Sequence, residues 1–179
     1  MKRYLPIILF PYTIIIALAS LFSNFIMETV FKNNIFLVLL VLLLFYIIAL
    51  ISAIIVSIKN LVLKRSAQEL LRMNMIIKLI HIPAYLLIFF AGMIFFLTIF
   101  TFAISILLMI LTGMSIILSG LIGLSSIIRG LREHKLTKKK AIIHSILQFI
   151  FCADIISSII IYRSVKTRKQ NNVTHSYTI

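Results

Sequence analysis

Residues 79–128 read LIHIPAYLLIFFAGMIFFLTIFTFAISILLMILTGMSIILSGLIGLSSII, fifty positions without a lysine, arginine, aspartate or glutamate. One helix of this length would measure about 75 Å, more than twice the roughly 30 Å thickness of the hydrocarbon core of a bilayer. The segment therefore predicts two membrane-spanning helices, 79–100 and 104–128. No glycine, proline or asparagine marks the turn between them, and we place it near residues 100–103.

The composition of the whole chain agrees with a membrane protein. Of its 179 residues 62% are apolar and 12% are charged, and the mean hydropathy is +1.18. Soluble domains carry about 25% charged residues, so a soluble globule and a disordered chain are both excluded. The net charge is +14, but the bases form short clusters between apolar runs. That placement suits an anionic cytoplasmic leaflet rather than nucleic acid.

Three further apolar runs cover residues 5–27, 35–58 and 141–162. Each has at least the 20 or so residues that a spanning helix needs. We therefore predict an all-α fold, a polytopic transmembrane helical bundle of two helical hairpins plus a fifth apolar helix within one domain, 1–162. The first run also resembles a signal peptide, with a cleavage-like Ala17-Leu18-Ala19, but it continues far enough to span uncleaved.

Two polar segments complete the layout. Ser66-Ala67-Gln68-Glu69 matches a helix capping box, and it predicts that an amphipathic helix, 67–78, begins at Ala67 and lies on the inner membrane surface. Residues 163–179 are basic and then polar, which predicts a disordered tail.

The charge clusters predict the orientation. The turn between the first two runs has one acid and one base, whereas the linker 59–78 has five bases and one acid and the loop 129–140 has six bases and one acid. The positive-inside rule then places the N-terminus, the linker and this loop in the cytoplasm. If 141–162 spans, the basic tail lies outside; if this run lies flat at the inner interface, the tail lies inside. We favour the span, and both alternatives stay open. The residues expected at lipid headgroups are Lys64, Arg65, Arg72, Lys138, Lys139 and Lys140.

Small residues follow one face of the fourth predicted span. At 100° per residue they fall within an arc of about 80°, and small residues at such spacing let another helix approach closely. We predict a helix-packing seam, internal or dimeric; the alternative is a serine-lined path for a small substrate. The seam residues are Thr112, Ser115, Ser119, Gly123, Ser126 and Gly130.

Asp154 is the only acid within an apolar run. Acids at membrane depth are costly and are often functional. Because no lysine or arginine lies in a predicted span, we expect Asp154 to be protonated or hydrogen-bonded rather than ion-paired. Together with His144, Gln148 and Ser158 it forms a candidate intramembrane polar site. We favour polar contacts that hold helices together, or the polar face of an interfacial helix; the alternative is a proton or cation pathway through Asp154 with His144 at its cytoplasmic end.

The sequence gives little support for catalysis. It contains no nucleophile elbow, phosphate-binding glycine loop or HExxH zinc motif, and we predict neither catalytic residues nor a cofactor. The lone Cys152 excludes an internal disulfide and a CxxC pair. Histidines near the inner boundary have no metal-ligand spacing, so no metal site is expected.

In composition and layout the chain resembles uncharacterised small polytopic membrane proteins of low-GC Gram-positive bacteria, which are rich in Ile and Lys and have short loops. This resemblance implies a bacterial plasma membrane and no particular activity. We expect a non-enzymatic accessory or interaction protein that contacts anionic lipid and binds either a second copy or another membrane protein through the seam. The alternative is a small oligomeric transporter or channel that uses Asp154.

Overall fold

The computed structural model describes residues 2–63 and 65–176, and every regular element in this part of the chain is helical. The predicted all-α class is therefore confirmed. Short 3-10 turns lie at Lys2–Tyr4 and Ile99–Thr101. The α-helices of the described residues are α1 Leu5–Leu21, α2 Asn24–Thr29, α3 Ile35–Val62, α4 Ala67–Phe96, α5 Phe102–Arg132, α6 Lys138–Leu147 and α7 Ala153–Ser176.

Helices α3, α4 and α5 are long and apolar enough to cross a membrane. They contain 28, 30 and 31 residues, and their lengths of about 42–47 Å exceed the hydrocarbon thickness of roughly 30 Å. Helix α1 is apolar but has only 17 residues, about 26 Å. The described residues thus contain three long candidate spans and one shorter apolar helix, where the sequence predicts five spans.

The first apolar run is divided, so the predicted span 5–27 is wrong in its second half. Helix α1 ends at Leu21, and the hydroxyl of Ser23 accepts a hydrogen bond from the Ile26 amide at 3.4 Å. A serine in this position caps a new helix, which here is the six-residue α2. A capping residue inside an apolar run therefore ends one helix and begins another.

Helix α4 corrects the predicted interfacial helix 67–78, which is the first part of one continuous helix. At its start the Ser66 side chain caps the helix, as half of the predicted capping box requires: the Glu69 amide donates to Ser66 Oγ at 3.3 Å. The face predicted to lie on lipid is instead covered by protein, with Leu70 and Leu71 buried. Pro83 lies inside the helix without ending it; nearby, the Tyr12 hydroxyl donates to the Ile80 carbonyl at 2.6 Å.

The turn predicted near residues 100–103 lies at 97–101, between α4 and α5. Threonine side chains form local hydrogen bonds in this turn, which contains neither glycine nor proline. The hydroxyl of Thr101 donates to the Phe95 carbonyl at 2.9 Å, and its amide donates to the Thr98 carbonyl at 3.1 Å. Side-chain bonds of this kind compete with the helical ladder and explain a turn that has no obvious breaker.

The fifth apolar run is not one helix, which corrects the predicted helix 141–162. Helix α6 ends at Leu147 and α7 begins at Ala153, and the intervening residue Cys152 has a φ of 64°. Helix α7 continues to Ser176, through most of the segment for which the sequence predicted disorder. Residues 177–179 lie outside the described residues.

The chain divides into two compact units. Unit 1 comprises Met1–Ala53 and Ile80–Leu118, with buried side chains that include Ile7, Phe10 and Ile14. Unit 2 comprises Ile54–Leu79 and Ser119–Ile179. Its apolar core is formed by Leu71, Ile127, Leu136, Ala141, Ile161 and Val165.

Candidate functional site

The centre of the candidate site is a buried ion pair in unit 2. Lys78 Nζ on α4 lies 2.8 Å from Asp154 Oδ2 in the first turn of α7, and each side chain is 1% exposed. This pair corrects the expectation that Asp154 lacks a cationic partner. The sequence predicts Lys78 in a surface helix, whereas the continuous α4 places its side chain in the interior of unit 2.

Lys78 also binds the other side of the break between α6 and α7. Its ammonium donates to the backbone carbonyl of Gln148, the C-cap of α6, at 3.4 Å. The C-terminal end of a helix carries partial negative charge and the N-terminal end partial positive charge. A cation at the end of α6 and the Asp154 carboxylate at the start of α7 therefore each match the helix end beside them.

A network of amides and hydroxyls surrounds the ion pair. Asn74, one turn before Lys78 on α4, donates to Ser158 Oγ at 2.9 Å and to Gln148 Oε1 at 3.4 Å. Gln148 Nε2 donates to Ser158 Oγ at 3.2 Å, and this hydroxyl donates to the Asp154 carbonyl at 2.8 Å. The network thus joins α4, the break and α7.

His144 lies at the edge of this network. Its Nδ1 is 2.8 Å from Ser157 Oγ, and Ser157 also accepts a hydrogen bond from Gln148 at 3.4 Å. The half-buried imidazole is therefore joined through hydroxyl and amide groups to the ion pair. The structure brings together all four residues of the predicted polar site: Asp154, His144, Gln148 and Ser158.

Two oxygens of the site have no hydrogen-bond donor within the described part of the chain. They are Asp154 Oδ1 and Asn74 Oδ1, and both are buried. A buried acceptor without a donor costs free energy. A proton or a hydrogen-bond donor of a ligand would therefore bind most favourably at these two oxygens.

The predicted small-residue seam is packed by the chain itself. In unit 2 a methyl group added at Gly123 would overlap the Gln148 side chain, and one added at Gly130 would lie 2.6 Å from Leu136 Cδ1. Ser119 and Ser126 are fully buried there. A partner protein would have to displace these contacts to use this part of the seam.

The seam hydroxyls also bind groups of the chain. Ser126 Oγ in unit 2 donates to the Ile122 carbonyl at 2.8 Å. In unit 1 Thr112 Oγ1 donates to the Leu108 carbonyl at 2.8 Å, and Ser115 Oγ lies 3.1 Å from the Tyr85 hydroxyl. These bonds support packing over a hydroxyl-lined path.

Five of the six predicted headgroup residues are exposed, and the sixth, Lys64, lies outside the described residues. The exposed ones are Arg65, Arg72, Lys138, Lys139 and Lys140.

Glu133 organises the base of α4 in unit 2. Its carboxylate accepts the Ala67 amide at 3.0 and 3.1 Å and forms ion pairs with Arg129 at 3.0 Å and Lys135 at 2.6 Å. Partial burial raises the pKa of Glu133, but hydrogen bonds from Lys135, the Ala67 amide and Arg129 outweigh burial, so that the pKa lies below its ordinary value. The carboxylate thus stays charged and caps α4.

A family model matches residues 2–167, and its description is "Family of unknown function (DUF6652)". The chain belongs to the DUF6652 family. No curated protein and no solved structure matches the chain. The DUF6652 description names no activity, ligand or cellular location, so a proposed role for this member depends on its own residues.

Two members of the site in this DUF6652 protein, Asn74 and Lys78, are not among the predicted site residues. They lie four residues apart on α4 and continue the buried stripe of Ala67, Leu70 and Leu71. A signal was therefore present, because polar residues that continue an apolar stripe share its face. Within residues 2–63 and 65–176, no group of three or more His, Cys, Asp or Glu residues could hold a metal ion.

Proposed function

We propose that this protein is a multi-pass helical bundle of the bacterial plasma membrane with a cytoplasmic N-terminus. Its role is that of a non-enzymatic accessory or interaction protein. The long apolar helices α3, α4 and α5 support the membrane location. The exposed bases of unit 2, among them Arg65 and Arg72, suit the headgroups of an anionic inner leaflet.

One observation carries the non-transport role: the Asp154 carboxylate already has a cationic partner in Lys78 at 2.8 Å. The same ammonium binds the Gln148 carbonyl, so that the charges of the site match the two ends of a helix break. Groups arranged in this way compensate one another's charge within the protein and do not require exchange with solvent. The site then serves as a rigid internal connection in a protein that acts through its outer surfaces.

The second candidate is a small oligomeric transporter or channel that uses Asp154. It is favoured by one observation, the buried Asp154 Oδ1 that has no donor within the described part of the chain. Ionisable groups at membrane depth often mark ion or proton pathways. Here His144 would form the cytoplasmic entrance and Ser157 its contact to the interior.

Flux measurements separate the two candidates. The full-length protein is reconstituted into lipid vesicles, and proton and monovalent-cation fluxes are recorded with entrapped dyes under an imposed membrane potential. For an accessory protein we expect the flux to equal that of empty vesicles, in wild type and in Asp154→Asn. A wild-type flux that Asp154→Asn abolishes and the exposed control Glu28→Gln retains would establish the transporter instead.

The interaction role has its own test in the native membrane. A tagged copy is purified in mild detergent, and each co-purifying membrane protein is quantified against an untagged strain and then tagged itself in a reciprocal experiment. We expect one partner, or the chain itself, to be recovered at a fixed stoichiometry in both directions. Recovery of a monomer alone, together with measurable flux, contradicts the proposal.

A further inference from the structure

We propose that the α6–α7 hairpin is a re-entrant element that enters the inner leaflet from the cytoplasm and returns to the same side. Its apolar tip, Phe149–Ile150–Phe151, lies among acyl chains, and Lys138, Lys139 and Lys140 lie at anionic headgroups. This inference rests on the proposed membrane location. It also places the C-terminus in the cytoplasm.

The chain reverses direction at the tip. His144 Nδ1 lies 2.8 Å from Ser157 Oγ, although 13 residues of straight helix would separate the two positions by about 20 Å. Gln148 contacts Ser157 and Ser158 at 3.4 and 3.2 Å. Helices α6 and α7 therefore fold back on each other around residues 148–152.

The lengths of the two arms exclude a crossing. Helix α6 has 10 residues, and the apolar part of α7, residues 153–162, has the same number. Each of these two stretches is therefore about 15 Å long, half of the roughly 30 Å hydrocarbon core. A hairpin with such arms reaches the middle of the bilayer at most, and both of its ends stay on one side.

The tip is apolar and partly exposed. Phe149, Ile150 and Phe151 are 42%, 48% and 39% exposed, and Ile142 and Ile146 on α6 are 63% and 61% exposed. Contiguous exposed apolar side chains mark a surface that another apolar phase covers. In a membrane protein whose adjoining loop is strongly basic, acyl chains of the inner leaflet are the phase that matches this surface.

Charge complementarity identifies the side of the membrane. Helix α6 begins with the three exposed lysines 138–140, and α7 carries exposed Arg163 and Lys166 beyond its apolar part. The two ends of the hairpin that lie away from its tip are thus cationic, while the tip is apolar. Anionic headgroups of the cytoplasmic leaflet bind such clusters, and the positive-inside rule keeps both clusters in the cytoplasm.

The buried ion pair explains how the break is tolerated at this depth. Non-helical backbone within a bilayer requires partners from the protein. Lys78 Nζ donates to the Gln148 carbonyl at 3.4 Å and binds Asp154 Oδ2 at 2.8 Å, which stabilises both helix ends that meet at the tip. The polar residues of the run 141–162 thus lie behind an apolar tip.

The single cysteine of the chain is a native probe of the tip. Cys152 is exposed and follows Phe151, so a small environment-sensitive maleimide reports the depth of the hairpin without any substitution. The labelled full-length protein is reconstituted into vesicles of zwitterionic and anionic phospholipid. Its fluorescence is then quenched with aqueous iodide, with a headgroup nitroxide and with an acyl-chain nitroxide.

We expect the acyl-chain nitroxide to quench the Cys152 probe several-fold more strongly than iodide does. The matched control carries Cys152→Ser and Lys139→Cys, which moves the same probe to the base of the hairpin, and there iodide and the headgroup nitroxide should dominate. Stronger quenching of Cys152 by iodide or by the headgroup nitroxide overturns the re-entrant hairpin.

Reporter fusions after Ile179 test the topology independently. Green fluorescent protein, which is fluorescent only in the cytoplasm, should be bright, and alkaline phosphatase, which is active only outside, should be inactive. The reverse result overturns the hairpin in favour of a fifth span and leaves the membrane location standing. Extraction of the protein from membranes by alkaline carbonate would instead contradict the membrane location itself, and the hairpin with it.

Discussion

The buried ion pair allows a quantitative prediction. At 2.8 Å and an effective dielectric constant of about 20, the attraction between Lys78 and Asp154 amounts to about 6 kcal/mol. Desolvation of each ion costs several kcal/mol, so the pair as a whole adds little net stability. Removal of one partner is different, because the desolvation cost of the remaining charge is no longer offset. We expect Lys78→Met and Asp154→Leu each to destabilise the protein by about 3–5 kcal/mol.

The double variant Lys78→Met/Asp154→Leu should recover most of this loss. Replacement of a buried ion pair by apolar groups of similar volume is often neutral, or stabilising by about 1–4 kcal/mol. Lys78 also donates to the Gln148 carbonyl, and the loss of that bond sets the recovery somewhat below complete. A double-mutant cycle measures this coupling directly.

Unfolding in mixed micelles of mild detergent and sodium dodecyl sulfate, followed by far-UV circular dichroism, gives the required free energies of unfolding. The controls are Lys139→Met and Glu28→Gln, both at exposed positions, which should change the free energy of unfolding by at most about 0.5 kcal/mol. The reasoning is refuted if the double variant loses the sum of the single losses, or if the single variants match these controls.

Three further substitutions are measured by the same unfolding assay: one in the seam, its control in unit 1 and one at Glu133 in unit 2. Gly123→Ala should lower the free energy of unfolding by about 1–3 kcal/mol, because the new methyl group displaces the buried Gln148 side chain. The control Gly113→Ala, whose methyl group meets open space, should raise it by up to about 1 kcal/mol. Equal effects of the two substitutions would contradict the packed seam. Glu133→Gln should cost about 1.5–3 kcal/mol at pH 7. Because the folded pKa of Glu133 lies below the unfolded one, its contribution is present above the unfolded pKa and disappears as the pH falls through the folded pKa. A difference between wild type and Glu133→Gln that persists in acid would contradict the assigned ion pairs.

Local signals in the sequence predicted much of the fold. The apolar run that begins at Ile35 predicted α3 at its first residue, and the capping box at Ser66 predicted the start of α4 at Ala67. Such signals need only neighbouring residues, because a cap or an apolar run acts within one or two turns of helix. Helix α3 runs four residues past its predicted end and includes Lys59, since a lysine near a helix end can extend its ammonium toward water.

The candidate site could be predicted only in part, because its central contact is not local. Polar residues within an apolar run predict a polar site at Asp154, Gln148 and His144, but the partner of Asp154 lies 76 residues away. The clustering of bases in the linker 59–78 predicts that Lys78 lies at the cytoplasmic side of the membrane. Helix α4 instead continues beyond Lys78 to Phe96. Packing within unit 2 then brings the Lys78 ammonium to the break between α6 and α7.

The conflict in the charge pattern came from treating residues 141–162 as one element. As a single span, this run would carry the basic tail outside; as a flat helix, it would leave an apolar sequence of 22 residues half in water. In the re-entrant hairpin that we propose, the break at 148–152 removes both difficulties, because two apolar stretches of about 15 Å would insert without a crossing. The acid of the run lies at the first turn of α7, where Lys78 neutralises it. In this proposal the basic residues on both sides of the hairpin stay in the cytoplasm, so the net charge of +14 and the apolar content of this run favour the same topology.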